Sequence, residues 1–101
     1  MGRTPADIDG ATQRVIEEAG FGQYVYHRSC HGKGLGSHEY PVDTAFNYTP
    51  LPKNAVLSCE PAIYIPDAGG FRASDNFIVG PDRGEPLTHY PRDLESLTVR
   101  V

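Results

Sequence analysis

The start of the chain has the clearest periodic pattern. Four apolar residues recur there at three- and four-residue intervals: Ile8, Ala11, Val15 and Ala19. This spacing places them along one side of an α-helix. Thr4 fits the N-cap, Pro5 the first helical position and Asp7 the acidic position of a capping box, and Gly20 suits a left-handed residue after the last turn. The pattern predicts a helix over residues 5–19.

Beyond this helix the chain changes to short runs of β-branched and aromatic residues separated by turn signals. Four strands are predicted. They cover residues 23–27, residues 55–65 with an interruption at Pro61, residues 71–79, and a short edge strand at residues 86–89. A turn signal at residues 67–70 predicts that the second and third of these form a hairpin. Residues 28–53 have no regular period, which predicts a long irregular loop. We therefore expect an α+β fold, with one N-terminal helix ahead of a small, mostly antiparallel sheet.

Length and charge limit the classes of protein that fit. With 101 residues, we expect one small domain over residues 1–101. The net charge of −4 has no basic block, which argues against nucleic acid because phosphate binding needs a basic face. No apolar run reaches the roughly 18 residues of a membrane span, and the start lacks the apolar core of a secretory signal. We expect a cytoplasmic protein that binds neither nucleic acid nor membrane.

Candidate chemistry begins in a stretch rich in glycine and histidine, residues 27–39 (HRSCHGKGLGSHE), which contains His27, His31 and His38. Glycine lets the backbone approach a ligand closely, and neutral imidazole binds metals and titrates near neutral pH. The stretch therefore fits a site loop. On composition alone it fits a polar surface loop equally well.

Two charged residues of the predicted hairpin are further candidates. Glu60 follows an apolar run, where a buried carboxylate is costly unless it is paired or binds a metal. Arg72 can clamp a carboxylate through two parallel hydrogen bonds. Both also fit ordinary solvent-facing strand positions. On one continuous strand Arg72 and Ser74 share a face, whereas Asp75 points to the other.

Cys30 and Cys59 each precede one of these candidates. Adjacent residues on a strand point to opposite faces, so Cys59 and Glu60 do not easily share one ion. The chain has no Cys-x-x-Cys spacing, and two cysteines do not make a disulfide framework. We expect two buried free thiols.

Three segments together resemble the peptidase family that contains Xaa-Pro aminopeptidases, prolidases, creatinase and methionine aminopeptidases. They are the His-rich segment 27–41, the Glu-Pro strand 57–66 (LSCEPAIYIP) and the segment 69–76 (GGFRASDN), which resembles a Gly-Val-Arg-Ile-Glu-Asp strand. His27, His38, Arg72 and the end of the chain resemble the proline-specific members. The resemblance implies the C-terminal half of a pita-bread fold and an Xaa-Pro aminopeptidase or dipeptidase activity.

The resemblance also implies a role for each matching residue. His31 and Glu60 match metal ligands, and Glu60 also matches a catalytic residue that moves protons to and from the attacking water. His27, His38 and Arg72 match substrate-binding residues, and His38 matches a catalytic residue as well. Complete members bind two divalent metal ions, often manganese, cobalt or zinc, which generate a hydroxide and polarise the peptide carbonyl.

Two departures from the family pattern predict an incomplete metal centre. Ser74 stands where the family has a metal-bridging glutamate, and a neutral hydroxyl does not replace that carboxylate between two hard cations. The two metal-binding aspartates of the family lie upstream, and Asp7 and Asp9 do not match them. His31 and Glu60 alone rarely hold a catalytic ion. We expect that the two ions are not fully bound here.

These observations lead to three functional hypotheses. The chain is a truncated or degenerate peptidase with little activity of its own, which Ser74 and the absent aspartates favour. Alternatively, it is active as a homo- or hetero-oligomer in which a partner supplies the missing half. In the third, it is a regulatory module that binds Xaa-Pro peptides through His27, His38 and Arg72 without cleaving them.

Overall fold

The computed structural model describes residues 2–42 and 46–101. Its elements, in chain order, are α1 (Pro5–Glu18), β1 (Cys30–Gly32), β2 (Glu39–Val42), β3 (Val56–Cys59), β4 (Ala62–Ile65), β5 (Gly69–Arg72), β6 (Asp75–Val79), β7 (Gly84–Pro86) and α2 (Leu94–Leu97). A short 3-10 turn at Gly22–Tyr24 follows α1. None of the helices in the described part of the chain is long and apolar enough to cross a membrane.

Helix α1 begins and ends at the signals found in the sequence. The Thr4 N–H donates to Asp7 Oδ2 at 2.8 Å, and the Asp7 N–H donates to Thr4 Oγ1 at 3.2 Å, which completes the capping box. Pro5 occupies the first turn. Gly20 has a φ of 85° and closes the helix in a Schellman motif. The predicted helix over residues 5–19 is confirmed to within one residue.

The apolar stripe of α1 is not the side that packs inward. Val15 is 69% exposed, whereas Asp9 is only 3% exposed. Asp9 and Gln13 lie one turn apart, and both make hydrogen bonds to the segment that leads into β1. Polar contacts with that segment, rather than apolar spacing, therefore set the orientation of the helix.

The strands that the structure describes pair in antiparallel fashion. A five-stranded sheet has the order β2-β1-β3-β6-β7, and β4 with β5 forms a separate two-stranded sheet. The predicted hairpin is confirmed, because β3 pairs with β6 and β4 pairs with β5. Both arms are interrupted, at 60–61 and at 73–74, and Pro61 has no N–H to continue the ladder. The expected α+β class is confirmed.

Some local predictions are wrong. Residues 23–27 form no strand, because the 3-10 turn overlaps them. The predicted loop 28–53 contains β1 and β2, and residues 43–45 of that prediction lie outside the described residues. The edge strand β7 covers Gly84–Pro86, whereas the sequence predicts residues 86–89, so the two share only Pro86. The residues of β1 have weak strand propensity, so its strand conformation depends on pairing with distant β3.

The centre of the sheet is held by a disulfide between Cys30 and Cys59, which corrects the expectation of two free thiols. The antiparallel register of β1 and β3 puts the two cysteines directly opposite each other, with their Cα atoms 4.3 Å apart. That separation is typical of a pair without mutual backbone hydrogen bonds. His31, Leu57 and Ser58, all buried, lie on the same two strands. The core of the described residues is therefore centred on β1 and β3.

Candidate active site

One cleft of about 300 Å³ brings together the five residues singled out from the sequence: His27, His31, His38, Glu60 and Arg72. Arg28 and Cys30 also line this polar cleft. The lining comes from three segments, namely the stretch around β1, the end of β3 and the end of β5. The pairing of β1 with β3 explains why the His-rich stretch meets Glu60.

His31 is the most enclosed of the three histidines, with 7% of its surface exposed. Its Nδ1 lies 2.8 Å from the Gly32 carbonyl oxygen. Because a carbonyl only accepts hydrogen bonds, Nδ1 carries the ring hydrogen. Nε2 then faces Glu60 Oε1 at 3.2 Å. A ring held by a backbone carbonyl at one nitrogen, with the other nitrogen open to a cavity, is the arrangement found for metal-binding histidines.

His38 reaches the cleft from the loop between β1 and β2. Its ring stacks on that of His31, with centroids 3.7 Å apart and an interplanar angle of 22°. Glu39 holds the loop, because its Oε1 accepts a hydrogen bond from the Gly36 N–H at 2.6 Å. Each of His31, His38 and Glu60 offers one donor atom, and these atoms all lie within 4.8 Å of one another.

His27 lies at the side of the cleft near the two-stranded sheet. Its Nδ1–H donates to the Arg28 carbonyl at 2.8 Å, and its Nε2 accepts from the Tyr64 hydroxyl at 2.8 Å. Tyr64, on β4, therefore orients the imidazole. It is not among the residues that the sequence singles out, because an aromatic residue on a strand is usually a packing residue.

Helix α1 fixes the segment just before β1 at two successive residues. Arg28 Nη1 donates to Asp9 Oδ2 at 2.9 Å, and the Asp9 side chain is only 4% exposed. Gln13 Nε2 donates to Ser29 Oγ at 3.3 Å. These contacts also go unpredicted from the sequence. The one available signal is two polar residues at four-residue spacing on a helix, a pattern that is common on solvent-exposed faces.

Arg72 is the last residue of β5 and its side chain is exposed. Ser74 follows in the break between β5 and β6. The rule that alternate residues share a face applies to a continuous strand. The prediction that Arg72 and Ser74 point the same way therefore loses its basis.

The donors that the described residues place at the polar cleft do not fit a pair of divalent ions. Glu60 is the one carboxylate among the lining residues that the structure describes. The Asp75 carboxylate accepts from the Thr88 hydroxyl at 2.7 Å and pairs with Arg92 at 2.9 Å, which commits it to the C-terminal segment. Two hard cations need several more oxygen ligands than Glu60 provides. Two imidazoles and one carboxylate are enough for a single ion with an open position.

The sequence and the fold both match known proteins. Residues 1–81 match metallopeptidase family M24. The chain belongs to this family. It is 43% identical over 88 residues to YkvY of Bacillus subtilis, covering 87% of this chain and 24% of that protein. It is 36% identical over 99 residues to an Xaa-Pro dipeptidase of Lactobacillus delbrueckii subsp. lactis, covering 98% of this chain and 27% of that protein.

Solved structures agree with this assignment. An Xaa-Pro dipeptidase from Bacillus anthracis superposes with a TM-score of 0.88 at 38% identity, over 92% of this chain and 26% of the other. A prolidase from Pyrococcus horikoshii OT3 gives a TM-score of 0.86 at 35% identity, over 92% and 27%. The chain thus spans about a quarter of the length of these relatives. The family resemblance and the pita-bread origin of the fold are confirmed.

Proposed function

We propose that this chain forms a peptide-binding part of an Xaa-Pro peptidase and that its metal centre is too incomplete for turnover by the chain alone. The grouping of His27, His38 and Arg72 beside Glu60 in one cleft supports this proposal. Relatives named Xaa-Pro dipeptidase suggest the substrate class. The proposal concerns the 101-residue chain itself.

Arg72 gives the cleft its means of recognising a dipeptide. The free carboxylate of an Xaa-Pro dipeptide is a planar anion, and a guanidinium binds such a group through two parallel hydrogen bonds. Arg28 is less suited to this role because it is paired with Asp9. Exposed Arg72 is therefore the guanidinium that we expect to bind the peptide.

His38 and His27 would then contact the peptide beside Arg72. His38 is exposed, and its Nδ1 lies 3.3 Å from Ser37 Oγ, which leaves Nε2 for a substrate carbonyl. Tyr64 already fixes the ring of His27. A bound peptide would meet side chains that are oriented in advance, which lowers the entropy lost on binding.

Glu60 is the group that would accept a proton from water during hydrolysis. In a complete metallopeptidase site, the ions supply the hydroxide and polarise the carbonyl. Ser74, in place of a bridging carboxylate, and the single carboxylate at the cleft both argue against such a centre within this chain. We therefore expect peptide binding with little or no cleavage.

The test is calorimetric titration of an Xaa-Pro dipeptide into the purified chain in the presence of a chelator. We expect binding, and Arg72→Ala should weaken it by about tenfold, the equivalent of roughly 1.4 kcal/mol. Arg14→Ala, on the exposed side of α1, is the matched control and should bind as the parent does. Equal affinity in the Arg72 variant, or cleavage of the dipeptide after addition of manganese, cobalt or zinc, would contradict the proposal.

A second candidate function is a peptidase assembled with another copy or another polypeptide. A hollow of about 550 Å³ has an apolar lining that includes Ile8, Leu51, Leu57, Phe77 and Val79. We call it the apolar hollow. A recess lined by apolar side chains fits the surface of another chain that would cover it. Sedimentation velocity tests the idea: an oligomer that cleaves Xaa-Pro peptides supports it, and a strict monomer without cleavage removes it.

We also propose a cytoplasmic location, with a consequence for the cysteines. Disulfides are rare in the reducing cytosol, so the Cys30–Cys59 bond would be open there for much of the time. Alkylation of intact cells with a mass-shifting maleimide should label both thiols. A pair that stays unlabelled until a reductant is added would count against this location.

A further inference from the structure

We propose that the Cys30–Cys59 disulfide regulates ligand binding in the polar cleft, and that a small thiol opens this bond by attacking Cys59 from the apolar hollow. The proposal rests on the proposed function, because the ligand whose affinity changes is the Xaa-Pro peptide. It concerns two residues to which neither the family resemblance nor the proposed function gives a role.

The polar cleft has two walls that come from separate parts of the chain. The first wall belongs to β1 and its neighbours and the second to the ends of β3 and β5; their side chains are His27, His31 and His38 on the first, and Glu60 and Arg72 on the second. The disulfide joins the two walls, because Cys30 directly precedes His31 and Cys59 directly precedes Glu60. The chain has no other cysteine, so no second disulfide can join them.

The remaining contacts between the walls are non-covalent. Strand β1 has three residues and pairs with β3 over those three positions. Beyond this pairing, the Glu60 N–H donates to the Ser29 carbonyl at 2.6 Å, and the Tyr64 hydroxyl lies 2.8 Å from His27 Nε2. The residues of β1 have weak strand propensity. Reduction of the disulfide therefore lets β1 shift against β3.

A shift of β1 reaches the side chains that are proposed to bind the peptide. His31 Nε2 lies 3.2 Å from Glu60 Oε1 on the opposite wall, and the His38 ring stacks on that of His31 with centroids 3.7 Å apart. Movement of His31 therefore displaces His38 relative to Arg72. Because side chains that must be ordered again on binding lower the affinity, we expect the reduced chain to bind the peptide more weakly.

The two sulfur atoms differ in their access to solvent. Cys30 is 3% exposed, whereas Cys59 is half-buried and lines the apolar hollow of about 550 Å³. The rate of thiol–disulfide exchange depends on access of the attacking thiolate to the sulfur. The hollow is large enough for a small thiol, so Cys59 is the sulfur that is attacked.

The bond opens in two exchange steps with glutathione, a thiol of the cytosol. The glutathione thiolate forms a bond to Cys59 Sγ while the Cys30–Cys59 bond breaks, and Cys30 leaves with the electron pair and takes a proton from water. A second glutathione thiolate attacks the glutathione sulfur of this mixed disulfide, which releases Cys59 and forms glutathione disulfide. Two electrons pass from the two glutathione thiols to the chain, and glutathione disulfide reverses the reaction.

The test compares calorimetric titrations of an Xaa-Pro dipeptide into the oxidised and the reduced chain, with a chelator present. We expect the reduced chain to bind about tenfold more weakly, because its binding groups are less well ordered in advance. The Cys30→Ser/Cys59→Ser variant should bind as the reduced parent does and should not respond to the reductant, which excludes an effect of the reductant itself. Equal affinities of the oxidised and reduced parent would overturn the proposal.

The imidazole NMR signals give a second measurement that needs no peptide. Reduction should shift the signals of His31 and His38, whereas that of His89, exposed and not among the cleft residues, should stay in place. If these shifts occur but the oxidised chain binds no dipeptide, the proposed function fails while redox control of the cleft stands. Unchanged signals of His31 and His38, or loss of the circular dichroism spectrum on reduction, would overturn the proposal.

Mixtures of reduced and oxidised glutathione test the exchange itself. Alkylation with a mass-shifting maleimide should show the pair passing between dithiol and disulfide as the ratio changes, and mass spectrometry should find the mixed disulfide at Cys59. A bond that stays intact in excess reduced glutathione, or a mixed disulfide at Cys30, would count against the proposal.

Discussion

The polar cleft and the apolar hollow meet at the paired strands β1 and β3, but their linings differ in kind. In the cleft, directional contacts fix the side chains: His27 bonds to Tyr64, Arg28 to Asp9, and the His31 ring to the Gly32 carbonyl. The larger hollow is lined largely by apolar side chains. The difference indicates that directional contacts hold the geometry of the cleft, whereas covering the hollow would add stability by removing its apolar surface from water.

The disulfide connects the two regions, because Cys30 lines the polar cleft and Cys59 lines the apolar hollow. A Cys30→Ser/Cys59→Ser variant should lower the free energy of unfolding by about 3–4 kcal/mol, since the bond closes a loop between residues 29 apart. Urea denaturation measures this loss, and reduction of the parent should reproduce it. A loss of less than about 1 kcal/mol would mean that the disulfide does not hold the two regions together.

The hollow alone is tested by Leu57→Ala. Leu57 is 5% exposed and lines the hollow, so its truncation should cost about 3 kcal/mol of unfolding free energy. Leu97→Ala, at a residue 50% exposed on α2, should cost less than about 0.5 kcal/mol. Thermal and urea denaturation give both values. Equal costs at the two leucines would show that the hollow contributes no core.

The cleft is tested through the ion pair between Asp9 and Arg28, one of its lining residues. Arg28→Met should cost about 2 kcal/mol, because it leaves the buried Asp9 carboxylate unpaired. The double variant Arg28→Met/Asp9→Leu should recover most of this loss, since an apolar pair replaces the buried charge without leaving one unpaired. Urea denaturation of both variants measures the two values. A double variant as unstable as the single one would mean that the charge pair has no special role.

The smallest effect is expected at Asp7, an exposed residue in the first turn of α1. The Thr4 N–H, followed by its hydroxyl, lowers the pKa of Asp7 below its usual 3.8. The ionised carboxylate therefore stabilises the folded chain fully above pH 3.8, and this contribution is lost as the pH falls through the lowered folded-state pKa. The stability difference between parent and Asp7→Asn should shrink accordingly in urea titrations between neutral and acidic pH. Asp82→Asn, in an exposed turn, is the control.

Local signals predicted the parts of the fold that depend on neighbouring residues. Thr4, Asp7 and Gly20 determine both ends of α1 within a few residues of themselves. Strand β1 could not be predicted in this way, because its conformation depends on pairing with residues about 27 positions away. The disulfide was missed for the same reason. It requires the register of β1 against β3, which no local pattern specifies.

The same distinction between local signals and long-range contacts applies to the candidate site. The types of its residues were visible in the His-rich stretch and in Glu60, but their meeting in one cleft was expected only from the family resemblance. The supporting contacts of Asp9 and Tyr64 had no usable signal, since polar helix faces and strand aromatics are common everywhere.

The glycines at 32, 34 and 36 limit which residues of the loop can be mutated to change the ligand selectivity of the cleft. A side chain at Gly32 would meet the Glu39 carbonyl and the Tyr40 backbone, and side chains at Gly34 or Gly36 would strike the Glu39 carboxylate. The three residues between and after these glycines, Lys33, Leu35 and Ser37, are exposed. A mutant library for altered selectivity should therefore vary these three and leave the glycines unchanged, so that His38 stays in position while its surroundings are diversified.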